Sequence, residues 1–167
     1  MFEADRSEFN FNTAEWIIPP QRSKNGQAHI VPLSDAAIAL VKAVPQVDGS
    51  AKLFPASGNL ENGPSGYSRA QSRFRASLNK QLDRDECKHW TLHDIRRTVA
   101  TGLQRLGVRF EVTEAVLNHV SGAKGGIAGV YQRHDWKAEK RTALGAWAHH
   151  VAELIAGSDN SEGIAPG

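Results

Sequence analysis

One cysteine, one methionine and two tyrosines are all that these 167 residues hold of three residue types that often carry chemistry. Cys87 by itself excludes an internal disulfide and suits a reducing compartment. No stretch approaches the roughly 18–20 consecutive apolar residues that a membrane span needs, and the N-terminus lacks the basic-then-apolar pattern of a secretory signal. The expectation is a cytoplasmic chain. The seven histidines include no His-Glu-x-x-His pair and no carboxylate cluster at ligand spacing, so no metal and no cofactor is expected. An internal repeat is also lacking.

What is present is charge with an uneven distribution. The net charge is only +2, yet residues 69–109 hold ten Lys/Arg against four acids, a local +6. Residues 1–16 carry Glu3, Asp5, Glu8 and Glu15 against Arg6, and the chain after Ala152 has acids and no bases. A basic middle between acidic ends points to an anionic partner, with nucleic acid first. On charge alone, a solvated helical face is the favoured explanation.

The order of elements reads as mostly helical, with a small antiparallel sheet near the start. "FNTAEWIIPP" and "QAHIVPL" look like two strands of a hairpin with Asn25-Gly26 as turn signal. Ser34-Asp35 caps a helix that stops at Pro45. A basic amphipathic helix over about 67–82 places Phe74 and Leu78 inward. Thr91, with Asp94 three residues on, opens the next helix in a capping-box pattern, and Gly107 closes it. "EVTEAVLNH" is a short helix. A last one spans 138–155, with Leu144, Trp147, Val151 and Leu154 at helical spacing.

Within "TLHDIRRTVATGLQRLG", Leu92, Ile95, Val99, Leu103 and Leu106 fall in one stripe, the expected buried side. Arg96 flanks that stripe, with His93 a step further round. Arg96 would be held by its packed stem while its planar fork meets two oxygens of an anion. Further on, "NHVSGAKGGIAGVYQRHD" sets Gly122, Gly125, Gly126 and Gly129 between His119 and Tyr131. So many glycines suit a segment that must move. The plain alternative is a surface loop with a partly buried tyrosine.

These segments together resemble the catalytic domain of the tyrosine recombinases, the phage and genomic-island integrase family. "LHDIRRTVATGL" is similar to that family's His-x-x-Arg helix, "EAVLNHVSG" to its next histidine segment, and "GVYQRHD" to its nucleophile segment. "IIPPQRSKNGQAHIVPLS" resembles the hairpin that carries its lysine. The resemblance covers roughly residues 2–152, in the right order. It implies an α+β fold, mostly α-helical, with a small antiparallel sheet near the N-terminus. It also implies that Tyr131 attacks a DNA phosphodiester to leave a 3′-phosphotyrosine. His93 would handle the proton, Arg96 and His119 would hold the non-bridging oxygens, and Lys24 would protonate the leaving 5′-oxygen. Arg22, Arg97, Arg69 and Arg73 would touch the DNA backbone. The implied partner is double-stranded DNA of the attachment-site type, with a homo-oligomer able to form on it.

One family feature is not matched. The second arginine of the family lies in an upstream helix, and aligning "SEFNFNTAEW" puts it a few residues before Met1; Arg6 aligns elsewhere. The N-terminal DNA-clamping domain is likewise unmatched. The expectation is a truncated integrase catalytic domain over 1–156 and a flexible tail over 157–167. Loss of one such donor costs ~10²–10³ in rate, so weak activity or none is expected of the chain alone. The competing readings are a non-catalytic helix-turn-helix-like DNA-binding module built on 92–118 and an inert prophage remnant.

Overall fold

A computed structural model describes residues 3–23, 26–64, 67–81, 90–119 and 135–159. Among these are three short strands, β1 (Phe9–Asn10), β2 (Glu15–Ile18) and β3 (His29–Pro32). Five helices follow: α1 (Asp35–Ala43), α2 (Tyr67–Gln81), α3 (Leu92–Arg105), α4 (Phe110–Val116) and α5 (Lys137–Asp159). This is the mostly helical α+β class that the sequence leads one to expect. No helix among the described residues is long and apolar enough to cross a membrane. The chain forms two compact units, Met1–Ser7 with Val44–Ile95 and Glu8–Ala43 with Arg96–Gly167.

In the first unit, the Leu53 amide donates to the Ala4 carbonyl at 2.8 Å, and both residues are fully buried. Lys52 pairs with Asp5 at 3.0 Å. Arg6 donates to the carbonyls of Val44, at 3.0 Å, and of Pro45, at 2.6 Å, and so satisfies the backbone where Pro45 halts the chain after α1. The Thr91 capping box forms as expected. The Thr91 amide donates to the Asp94 carboxylate at 2.9 Å, and the Asp94 amide donates back to the Thr91 hydroxyl at 3.3 Å. Phe74 departs from expectation. It meets Trp90 edge to face at 6.1 Å but remains 54% exposed, while Leu78 is half-buried.

The second unit is built on the sheet, in the order β1-β2-β3 and antiparallel throughout, with Trp16 opposite Val31 and Ile18 opposite His29. β1 was not anticipated from the sequence. Its side chain Asn10 accepts from the amides of Asn12 and Thr13, which folds the chain into a tight Asx turn and returns Phe9 to stack on Trp16 at 5.4 Å. The connection between β2 and β3 is longer than a two-residue turn. A 3-10 turn at Pro20–Arg22 precedes Gly26, whose φ of +66° suits glycine. Asn25 lies outside the described residues.

Among the described residues of this unit, Leu103, Val112 and Ala143 form one buried apolar cluster, with Val99, Val108, Val116, Trp136 and Trp147 around them. The α3 stripe read from the sequence is therefore only partly buried. Val99 and Leu103 enter the core, but Leu92, Ile95 and Leu106 are 54, 48 and 40% exposed. Helical periodicity says which positions share a face; it does not say how far along the axis a packing partner runs. Here that partner is the Trp147 ring of α5, which lies over Gly102 of α3. A Cβ at Gly102 would overlap Trp147 Cζ3 and come within 2.9 Å of Cη2. α5 also runs to Asp159, into the stretch read as tail, and packs on α4 and β3.

A buried carboxylate fastens the start of α5. Glu15 of β2 receives Lys137 at 2.7 Å, Arg141 at 3.4 Å and the Thr13 hydroxyl at 3.0 Å. The hydrogen bond from Lys137 holds the Glu15 carboxyl below its ordinary value, against burial, which acts in the opposite direction.

Two outcomes are expected. Gly102→Ala destabilises the protein by about 1–3 kcal/mol in urea unfolding, despite a helix-propensity gain of up to ~1 kcal/mol, and the penalty shrinks in a Trp147→Leu background. A carboxyl with a depressed folded pKa stabilises the fold above its unfolded value and loses that contribution as pH falls through the folded one. Melting temperature should thus fall more steeply below pH 4.5 in the wild type than in Glu15→Gln. Parallel curves would remove Glu15 from this role.

Candidate active site

The site is assembled around the carboxyl end of α4. An α-helix leaves its last carbonyls without internal partners, and α4 answers this in two ways. The first is local. Asn118 takes φ +51°, its amide donates to the Ala115 carbonyl at 3.3 Å, and the His119 amide donates to the Glu114 carbonyl at 2.9 Å. This is a Schellman ending with asparagine at the left-handed position. α3 ends in the same way with Gly107 at φ +77°, where Val108 bonds back to Leu103 and Gly107 to Gln104.

The second answer comes from other elements. Arg96 Nη2 of α3 donates to the Leu117 carbonyl. The His29 ring of β3, buried, donates to the Val116 carbonyl. The helix end carries partial negative charge, which favours a guanidinium there. Lys140 of α5 is also buried close by and donates to the Ile30 carbonyl at 2.8 Å. Burial lowers the His29 pKa, and the charges of Lys140 and Arg96 add to that, while the Val116 carbonyl acts the other way. A neutral ring between two cations is the arrangement that costs least.

His119 itself is about half exposed. Its Nδ1 lies 3.0 Å from the Glu114 carboxylate. An ionised carboxylate only accepts, so Nδ1 carries the proton of this pair and Nε2 is the nitrogen turned to other partners. The preceding residue reaches elsewhere: Asn118 Nδ2 donates to Ser23 Oγ at 3.2 Å. Ser23 is the neighbour of Lys24.

Of the residues singled out from sequence, Arg96 and His119 are thus brought to one helix end. Lys24 and Tyr131 lie outside the described residues, although both borders of 120–134 are well anchored. His119 stands at one. At the other, Asp135 accepts from the Lys137 amide at 3.0 Å, and Trp136, under the Arg109 guanidinium at 5.3 Å, enters the core. His93 is exposed on the first turn of α3, and Arg97 is exposed on the same helix. Arg69 and Arg73 are exposed on α2. Arg22 is paired with Glu8, whose carboxylate also accepts the Trp16 indole N–H at 2.9 Å. His29 and Lys140 were not recognised as part of this arrangement. Their burial accompanies the packing of α5 on β3 and on α4, which no local pattern encodes.

The chain matches the phage integrase family over residues 1–135, and it belongs to that family. It is similar to the prophage integrase IntA of Escherichia coli K12, with 31% identity over 157 residues. The match covers 93% of this chain and 36% of that relative, so the chain spans about a third of its length. No solved structure matches.

The His29 arrangement has a pH signature. The unfolded chain takes up a proton at His29 near the ordinary value of 6.5, before the folded chain does. Stability from this source is therefore complete above that value and declines as pH falls below it. Between pH ~7 and ~5 the wild type should lose unfolding free energy more steeply than His29→Gln, which can still donate to Val116. Equal slopes would show that His29 titrates alike in both states.

Proposed function

We propose that the chain carries out DNA strand transfer in site-specific recombination. The Tyr131 oxygen attacks the phosphorus of a DNA phosphodiester, and the bond to the 5′-oxygen breaks. The products are a 3′-phosphotyrosyl link and a 5′-hydroxyl. The phenol, with an ordinary pKa of ~10, needs its proton taken, a role given to His93. Arg96 and His119 neutralise the charge that builds on the non-bridging oxygens, and Lys24 supplies a proton to the departing 5′-oxygen. The reverse attack by another 5′-hydroxyl reseals the strand, so the bond energy is conserved without a nucleotide cofactor. Arg22, Arg97, Arg69 and Arg73 contact backbone phosphates of an attachment-site duplex, on which several copies assemble.

The observation that carries this reading is the tie between Arg96 and Leu117, two residues before His119. It gives a guanidinium and an imidazole a common rigid support, and charge stabilisation of a transition state depends on donors that need not reorganise. Family membership and the glycines ahead of Tyr131 support it further.

The test is a pool of randomised duplexes, each with one nick. Wild-type protein is expected to form a covalent, protease-sensitive adduct slowly and in low yield, which Tyr131→Phe abolishes without loss of DNA affinity. Arg96→Ala should slow adduct formation by ~10²–10³. Salt-sensitive binding with no adduct from any variant would instead favour a non-catalytic DNA-binding module.

A further inference from the structure

Two helices of one unit end in the same hydrogen-bond pattern with different residues at the left-handed position. At Gly107 a side chain would meet nothing within 4 Å, and glycine occupies it at no steric penalty. At Asn118 the chain accepts a Cβ at φ +51°. Glycine would be the easier residue there too, so backbone conformation alone does not explain the asparagine. Its side chain does something that glycine cannot. It reaches Ser23 across 95 residues of sequence and joins the end of α4 to the connection between β2 and β3.

We infer that Asn118 is a positioning residue, whose amide ties the His119 segment to the 19–28 connection and sets the two in register. The consequence for catalysis rests on the recombinase reading above. His119 follows Asn118 directly in sequence, and Lys24 follows Ser23 directly, so the Asn118–Ser23 bond joins the two stretches of chain that carry the residues assigned to the non-bridging oxygens and to the leaving group. Its two ends are held firmly. Leu117, on one side, is bound by Arg96, and His119, on the other, by Glu114. On the connection, the amides of Arg22, Ser23 and Gly26 bond to the carbonyls of Pro19, Pro20 and Ser23 at 3.0 to 3.1 Å. Losing the Asn118 amide removes this bond while leaving the local hydrogen bonds on both sides of it in place.

The variants that test this are Asn118→Gly, Asn118→Asp, Ser23→Ala and the double Asn118→Gly/Ser23→Ala. Glycine suits the left-handed backbone, so Asn118→Gly keeps the helix end and removes only the amide. Aspartate keeps the shape and tolerates the conformation, and the Ser23 hydroxyl can turn to donate to it, so Asn118→Asp is expected to rescue. The first readout is hydrogen exchange at the Arg22, Ser23 and Gly26 amides in the full chain without DNA. Asn118→Gly and Ser23→Ala should each exchange about three- to tenfold faster than wild type, the range of one neutral hydrogen bond. The double variant should be no faster than either single one, as for two partners of one bond. The second readout is adduct formation on the nicked duplexes. It should fall in the same variants and recover in Asn118→Asp, while equilibrium DNA affinity stays unchanged. Unchanged exchange in Asn118→Gly, additive effects in the double variant, or affinity falling in step with the adduct would overturn the inference. A wild-type protein that forms no adduct sinks the recombinase reading separately, and the exchange series then still decides whether the tie exists.

Discussion

A helix cannot satisfy its own last carbonyls, and in this protein the end of α4 recruits the rest of its unit to do so. Two of those carbonyls are met locally by Asn118 and His119 amides, and two more by side chains from α3 and β3. Consecutive residues of one short turn are thereby bound to different elements. Val116 is held by His29, Leu117 by Arg96, Asn118 holds Ser23, and His119 turns back on Glu114. An arginine placed in this way is oriented by the backbone it serves. Its guanidinium is thereby held at the carboxyl end of α4.

Among the described residues, the apolar cluster beside this arrangement is modest. Close helix approach compensates: with no side chain at Gly102, the Trp147 ring can lie against α3. Polar fastening adds to it. Glu15 collects Lys137 and Arg141 on the first turns of α5, and Lys140 between them is buried toward β3. These contacts fall immediately after the segment that holds Tyr131. Ordinary salt bridges on a surface contribute little, but a carboxylate that is only 6% exposed and bonded by three side chains fixes where a helix begins. The chain thus enters and leaves 120–134 at anchored points.

Much of this was legible locally. The Thr91–Asp94 capping box, the Ser34 cap, the Gly107 stop and the pairing of β2 with β3 depend on residues within a few positions of each other, or on alternation along a strand. The His-x-x-Arg spacing and the order of the family segments were equally visible, because side-chain identity and sequence separation are enough to recognise them. Less visible were β1, which depends on a single Asx turn, and the exposure of Leu92 and Ile95, which a helical period does not reveal. The pairing of Arg22 with Glu8 was also hidden. Glu8 reads as part of an acidic stretch and Arg22 as a DNA contact, and neither reading reveals which opposite partner is in reach.

The amino-acid sequence by itself determined the class of fold, the order of the helices and the chemical types available to the site, since each follows from short-range backbone preference and side-chain chemistry. Tertiary structure alone decided that His29 is buried between Arg96 and Lys140, that Arg96 is bound to Leu117, and that Asn118 reaches Ser23. Those relations join residues separated by 21 to 111 positions. They exist because helix ends expose carbonyls and left-handed turns redirect side chains, and the partners for both are chosen by packing.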